Sequence, residues 1–277
     1  MPITDTSFIE QNEARRQKLM QEMMAGIKKK ESPERKLAVV ILAAGLGKRM
    51  KSPDKPKVMF ELNGKPLIGF VVDLAVRINA DRIIPIVGHH RELVIDYLEK
   101  NYDYNFEFAI QHEQLGTGHA VMQTEEPLED FDGDVLILSG DVPLLKFETV
   151  ERLVNEHFDK GHTATLLTAT VKDASGYGRI MHDVNGKFVK IVEDKDATDI
   201  EKKINEINPA IYVVNSKTLF DALKKIKPEN KQNEYYLTDI FYHIPINKVG
   251  TVAVADENEI KGINSLEQLK EMENLLG

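Results

Sequence analysis

The chain has 277 residues, enough for one large domain or two small ones with a sizeable core. It carries 36 Lys and Arg against 45 Asp and Glu, a net charge of −9, which argues against a general nucleic-acid binder and means that any phosphate site must concentrate positive charge locally. Cysteine is absent, which excludes disulfides, thiolate metal sites and a cysteine nucleophile; with no bilayer-length apolar run and no signal-peptide core, the expected location is the cytoplasm.

Residues 1–36 stand apart in composition. Ser7-x-x-Glu10 reads as a capping box, and the stretch to Lys30 is rich in Glu, Gln, Lys, Met and Ala. Phe8, Leu19, Met20, Met23, Met24 and Ile27 fit an apolar stripe, as expected of a packing helix or a homo-oligomer contact. Glu31-Ser32-Pro33-Glu34 reads as a linker. The expected organisation is a helical extension over 1–36 and a main domain over 37–277.

Strand and helix patterns then alternate. Strands are expected at 37–42, 82–87, 106–110, 135–138 and 164–170, with helices at 67–78, 91–99, 119–125 and 148–157 between them. Continuous apolar strands alternating with amphipathic helices imply an α/β fold with a mostly parallel sheet flanked by helices on both faces. Beyond 175 the alternation loosens. Residues 180–183 and 188–192 fit a hairpin across Val184-Asn185-Gly186-Lys187, and 207–214 a strand. Helices are expected at 219–226 and 237–246, a short strand at 252–255 and a closing helix at 266–276.

In open sheets of this kind ligands sit at the carboxyl ends of the strands. The first strand runs into LAAGLGKRMKSPDKPK at 42–57. Gly45 and Gly47 let backbone N–H groups close on anionic oxygens, and Lys48, Arg49, Lys51, Lys55 and Lys57 supply charge. The spacing matches neither the dinucleotide fingerprint nor the P-loop, and an ordinary strand-to-helix turn is the competing reading. Gly140-Asp141-Val142-Pro143 follows another strand; Asp141 there either reaches a metal bound to phosphate or caps a turn. Gln114-Leu115-Gly116-Thr117-Gly118-His119 either recognises a ligand or caps the next helix, and His119 reads as structural.

Taken together the segments resemble the sugar-1-phosphate nucleotidyltransferases. They are most similar to the uridyltransferase half of the bacterial bifunctional N-acetylglucosamine-1-phosphate uridyltransferase/glucosamine-1-phosphate acetyltransferases. The resemblance rests on LAAGLGKRM, PKV, LNGKPLI, QHEQLGTGHAV, GDVPLL, GYGRI, IVEDKDAT, EINPAIYVVN, NEYYLTDI and GIN, in order over roughly residues 37–270. It implies a Rossmann-like nucleotide-diphosphosugar transferase fold with a smaller sugar-binding β subregion. It implies that Leu42, Ala43, Ala44 and Gly45 line the base, that Gln111 bonds the uracil, and that Gly116 and Thr117 lie beside it. Arg49 and Lys57 grip the triphosphate, and Asp141 and Asn264 hold Mg²⁺. Ser139 and Gly140 border the substrate, and Gly178, Glu193 and Asn208 read the sugar.

The implied activity is uridylyl transfer from UTP to N-acetylglucosamine-1-phosphate. A thymidine nucleotide, glucose-1-phosphate or another sugar phosphate is the alternative, and a catalytically weak regulatory subunit a further one, with no nucleic acid and no membrane as partner. The chain departs from the family in four places. The Arg49–Lys57 segment is one residue longer, Lys48 replaces threonine, Ser139 replaces tyrosine, and Asn208-Pro209-Ala210 replaces Asn-Thr-Gly. It also carries no hexapeptide repeats, so acetyl transfer is not expected of it.

Overall fold

The computed structural model describes residues 36–45, 47, 50 and 54–276; the expected N-terminal helix and the basic residues Lys48, Arg49 and Lys51 lie outside the described residues. The sheet grows from strand β1 (Leu37–Leu42), which is buried along almost its whole length. A small hairpin follows, β2 (Glu61–Leu62) and β3 (Lys65–Pro66), turning at Asn63-Gly64, both at positive φ. That is the geometry an Asn-Gly turn favours. Strands β4 (Arg82–Val87), β5 (Ala109–Ile110) and β6 (Asp134–Ser139) complete a parallel half. The remaining strands are β7 (Ala164–Thr170), β8 (Gly178–His182), β9 (Phe188–Val192), β10 (Glu206–Asn208), β11 (Tyr212–Asn215) and β12 (Val249–Ala253). The order is β5-β4-β1-β6-β11-β7-β10-β8-β9, with β12 pairing parallel to β7 and β11 antiparallel to both its neighbours.

Period-two burial explains why helices cover both faces. Val39, Ile41, Leu136 and Leu138 point to one side, where α1 (Leu67–Arg77), α2 (Arg91–Asn101) and, after a short α3 (Thr117–Met122), α4 (Phe147–Lys160) contribute Val72, Leu98 and Leu153. Ala38, Val40, Val135 and Ile137 point to the other side. There α3 adds Val121, and α5 (Ser216–Leu223) adds Leu219 and Leu223. A last helix, α6 (Leu266–Leu276), packs Leu269 and Met272 on Leu62 of the small hairpin.

Three expectations are corrected. The strand expected over 106–110 is only Ala109–Ile110; Phe106 and Phe108 instead enter an aromatic cluster with Tyr102 and Tyr104. The strand expected over 207–214 is two strands, because Pro209 has no N–H to donate and Ala210 sits at φ 60°. The helix expected over 237–246 is a 3₁₀ segment, Leu237–Tyr242, and Pro245 starts a separate turn.

Candidate active site

The carboxyl ends of β1, β5 and β6 open on a cleft of about 480 Å³. Leu42, Ala44, Gly45 and Gly47 form its floor. The Ala43 side chain packs in the core, and its N–H donates to the carbonyl of Ile86 at 2.9 Å. Gly47 is held at φ 57°, and a Cβ there would lie 2.9 Å from Cβ of Lys57, so the loop brings backbone and lysine together only with glycine. Gly140 does a different job. Its N–H donates to the Leu42 carbonyl at 3.0 Å and a Cβ would meet that same oxygen at 2.9 Å, so it packs the end of β6 against the end of β1.

Gln111, Gln114, Gly116 and Thr117 form the opposite wall. The loop before α3 is clamped by the segment around Tyr235. Gly116 adopts φ 115°, and a Cβ would come within 2.5 Å of the Tyr235 carbonyl oxygen. Tyr235 donates its N–H to Leu115, Gly118 donates to Tyr235, and the N–H of Leu237 donates to the Thr117 hydroxyl at 3.1 Å. The LGTGH and YYLTD segments are therefore one structural unit.

Lys57, Asp141 and Asn264 come together from distant parts of the chain. The Lys57 ammonium is ion-paired to Oδ2 of Asp141 and donates to Oδ1 of Asn264 at 2.9 Å, with the pair's side chains 18% and 15% exposed. Asp141 sits just past β6, and its backbone carbonyl accepts from the Ile263 N–H, which fastens the Gly262–Asn264 loop beside it. The two oxygens thus converge on one positive charge, a donor set that fits a hard divalent cation taking its remaining oxygens from substrate and water. Among the described residues no group of three or more His, Asp or Glu side chains forms a metal cage. Lys55 is drawn away to Glu61 at 3.7 Å. Arg49 lies outside the described residues.

A second cleft of about 220 Å³ adjoins the first, and Thr117, Ser139 and Asp141 line both. Gly178, Glu193, Asn208 and Asn264 line it, with Tyr177, Tyr212 and Thr238. Gly178 and Asn208 face each other in the β8–β10 ladder. Asn208 is buried; its Nδ2 donates to the Tyr212 hydroxyl at 2.7 Å and its Oδ1 accepts from the Ala210 N–H at 3.0 Å. Ala210 holds the left-handed conformation at the place where the family resemblance expects glycine.

Glu193 accepts from the Thr238 hydroxyl at 2.9 Å, and burial pushes its carboxyl above the usual range against that bond. Burial and the neighbouring Asp196 push Asp239 up to about 6. The buried Arg179 pairs at 3.1 Å with Asp194, the chain neighbour of Glu193, and so ties the β8–β9 hairpin to the segment after it. Thr238, Tyr177 and Arg179 carry no role in the sequence reading, although each lies in a quoted motif. A hydroxyl or guanidinium that supports another side chain leaves no spacing signature of its own.

Residues 38–257 match the nucleotidyl transferase family. The chain is 46% identical over 242 residues to the bifunctional protein GlmU of Thermoanaerobacter pseudethanolicus and 47% identical over 244 residues to that of Caldanaerobacter subterraneus subsp. tengcongensis. Each match takes in 87% of this chain and 51% of the relative, so the chain spans about half the length of the curated relatives it matches. Among solved structures it resembles a UDP-glucose pyrophosphorylase complexed with UDP-glucose, with TM-score 0.71 and 19% identity over 87% of this chain and 98% of that one. It also resembles a putative glucose-1-phosphate thymidylyltransferase from Bacillus anthracis, with TM-score 0.70 and 19% identity over 86% of this chain and 94% of that one. Both share its Rossmann-like mixed sheet. The chain is an enzyme of the nucleotidyl transferase family, to which it belongs by the match over 38–257.

Proposed function

We propose that this chain transfers a uridylyl group from UTP to N-acetylglucosamine-1-phosphate, giving UDP-N-acetylglucosamine and pyrophosphate. The observation that carries the reading is the pair of clefts joined at Thr117, Ser139 and Asp141. One is lined by the glycine loop, Gln111 and Lys57, as a nucleoside triphosphate requires. The other is lined by Gly178, Glu193 and Asn208, a neutral and carboxylate surface suited to sugar hydroxyls and an amide. A phosphate oxygen of the sugar attacks the α-phosphorus from the second cleft. The new P–O bond forms as the bond to the bridging oxygen breaks, and pyrophosphate leaves in line. The attacking phosphate is already ionised, so no general base is needed. The obstacle is repulsion between two polyanions. Lys57 offsets it and stabilises the charge that develops on the leaving group; Arg49 shares that role.

Asp141 and Asn264 would hold Mg²⁺, which when bound supplies Lewis-acid charge neutralisation at the phosphates. Gln111 reads the base. Glu193 accepts hydrogen bonds from the sugar, and its burial makes an unpaired carboxylate there costly, which favours the substrate that satisfies it. The test is Glu193→Ala: KM for the sugar phosphate should rise roughly tenfold or more with KM for UTP little changed. Equal rises for both substrates would remove Glu193 from the sugar site.

A further inference from the structure

Gln111 follows β5 at the carboxyl edge of the sheet and is 4% exposed. Its side-chain amide nitrogen has two neighbours, the Gly116 carbonyl at 3.1 Å and Nδ1 of His119 at 3.1 Å. A carbonyl oxygen only accepts, so it assigns the NH₂ group to the protein side. The second N–H of the same amide then meets Nδ1 of His119. With the Gly116 carbonyl fixing the NH₂ group, that nitrogen accepts in the tautomer that carries its proton on Nε2. Both donors of the amide are used. Oε1 has no protein partner among the described residues, and Gln111 lines the larger cleft.

His119 is itself held. It belongs to α3, its carbonyl accepts from Nε2 of Gln123 at 2.9 Å, and its ring lies 6.2 Å from that of Tyr235. The same Gln123 nitrogen stands 3.4 Å from the ring Nε2, a longer contact than the 3.1 Å between Nδ1 and Gln111, so the Gln111 contact decides the tautomer. A terminal amide turns over readily about its last torsion, which is broad and roughly two-fold. With the Gly116 carbonyl and an accepting Nδ1 on either side of the NH₂, the reversed amide would turn Oε1 toward both acceptors, and a shift of the ring proton to Nδ1 would relieve only one of them.

We propose that His119 is a positioning residue for base choice: with the Gly116 carbonyl it locks the Gln111 amide so that only an acceptor, Oε1, faces the nucleotide. A base that donates an N3–H, uracil or thymine, satisfies that acceptor. Cytosine presents an unprotonated N3, another acceptor, and leaves Oε1 opposed to a lone pair. The proposal deepens the reading above and rests on Gln111 as the base-reading residue.

The experiment compares UTP and CTP, both by calorimetric binding and by kcat/KM, in the wild type and in Gln111→Ala, His119→Leu, His119→Asn and His119→Gln. The oxygen of Asn can stand where Nδ1 stands, whereas the longer Gln places its amide near Nε2. His119→Leu should lower the UTP/CTP preference about tenfold, the worth of one hydrogen bond, and His119→Gln should do the same. His119→Asn should retain the preference. A purely structural role would weaken both nucleotides together and leave the ratio unchanged, and that result overturns the proposal. If His119→Leu does not fold, the Asn and Gln variants decide: equal ratios in the two overturn it. Gln111→Ala separates the two levels. If it abolishes the preference while the histidine variants do not, Gln111 reads the base and His119 does not position it. If it leaves the preference intact, the base-reading assignment itself fails, and the proposal with it.

Discussion

Replacing Lys57 by methionine separates the two things its ammonium does. The side chain keeps its length and apolar stem and loses its charge. In the ligand-free protein the ammonium holds Asp141 and donates to Asn264 at 2.9 Å, with both members of the ion pair more than four-fifths buried. Asp141 lines the open cleft and can recruit water, so loss of its partner costs folding about 1–3 kcal/mol, between an exposed pair and a fully buried one. In the reaction the same ammonium faces charge building up on the leaving pyrophosphate. A preorganised donor at such a position is worth ~2.7–4 kcal/mol, or ~10²–10³ in kcat. Steady-state pyrophosphate release at saturating substrates should therefore fall by that factor while the melting temperature moves only a few degrees.

A calorimetric Mg²⁺ titration without nucleotide supplies an opposing sign. With the ammonium gone, Asp141 and Asn264 lose the cation they already hold, so metal binding should strengthen while turnover falls. A kcat within threefold of wild type, or weaker Mg²⁺ binding in the variant, would refute the reasoning. The first would deny Lys57 its place at the phosphates. The second would deny that ammonium and metal answer to the same oxygens.

Gly116→Ala places a Cβ 2.5 Å from the Tyr235 carbonyl at φ 115°, so it should weaken UTP binding at least tenfold by displacing the Leu115–Gly118 loop, as read by calorimetry; unchanged affinity would show that the loop is not clamped. Ala210→Gly should raise stability by about 0.5–1 kcal/mol in a urea melt, because alanine at φ 60° is strained and glycine is not, even after the entropy glycine adds to the unfolded chain. Asp239→Asn should raise the melting temperature at pH 7.5 and leave it unchanged near pH 3.5. The folded protein binds the Asp239 proton more tightly than the unfolded chain does, so this group's contribution declines as pH rises from the ordinary aspartate value towards about 6, and the amide removes that loss. A stabilisation that persists at pH 3.5 would assign it to packing instead.

The parallel half of the fold was legible because each buried strand is a short continuous apolar run. Leu37–Leu42 and Arg82–Val87 there, and Ala164–Thr170 beyond it, have the expected bounds, since burial decides them. The second half was less legible because local chemistry competes with periodicity. Ile207–Val214 is apolar enough for one strand, yet Pro209 and Ala210 break it into two that both pair with β7 and take different second partners, β8 and β6. Leu237–Ile246 has helical spacing, but the backbone around Tyr235 and Leu237 is committed to the loop before α3, and Pro245 forbids a continuous helix.

At the site, the glycine loop and Asp141 could be found from strand ends alone. The meeting of Lys57 with Asn264, 207 positions apart, could not, because no local pattern encodes it; the resemblance supplied both residues and the fold supplies their contact. Ala43 and Gly140 were expected at the substrate, and the fold adds that the N–H of each is engaged between neighbouring strand ends. His119 read as structural, and its hydrogen bond to Gln111 became visible only once α3 was placed against the edge of the sheet.

The most direct test of the account is pyrophosphate release by the purified chain with Mg²⁺, using UTP, CTP and dTTP crossed with N-acetylglucosamine-1-phosphate and glucose-1-phosphate. The highest kcat/KM is expected for UTP with N-acetylglucosamine-1-phosphate, and a loss of at least ~10²-fold in Asp141→Asn, which removes the charged member of the proposed metal pair. Release that is equal or faster with glucose-1-phosphate, or an Asp141→Asn enzyme within threefold of wild type, would contradict it.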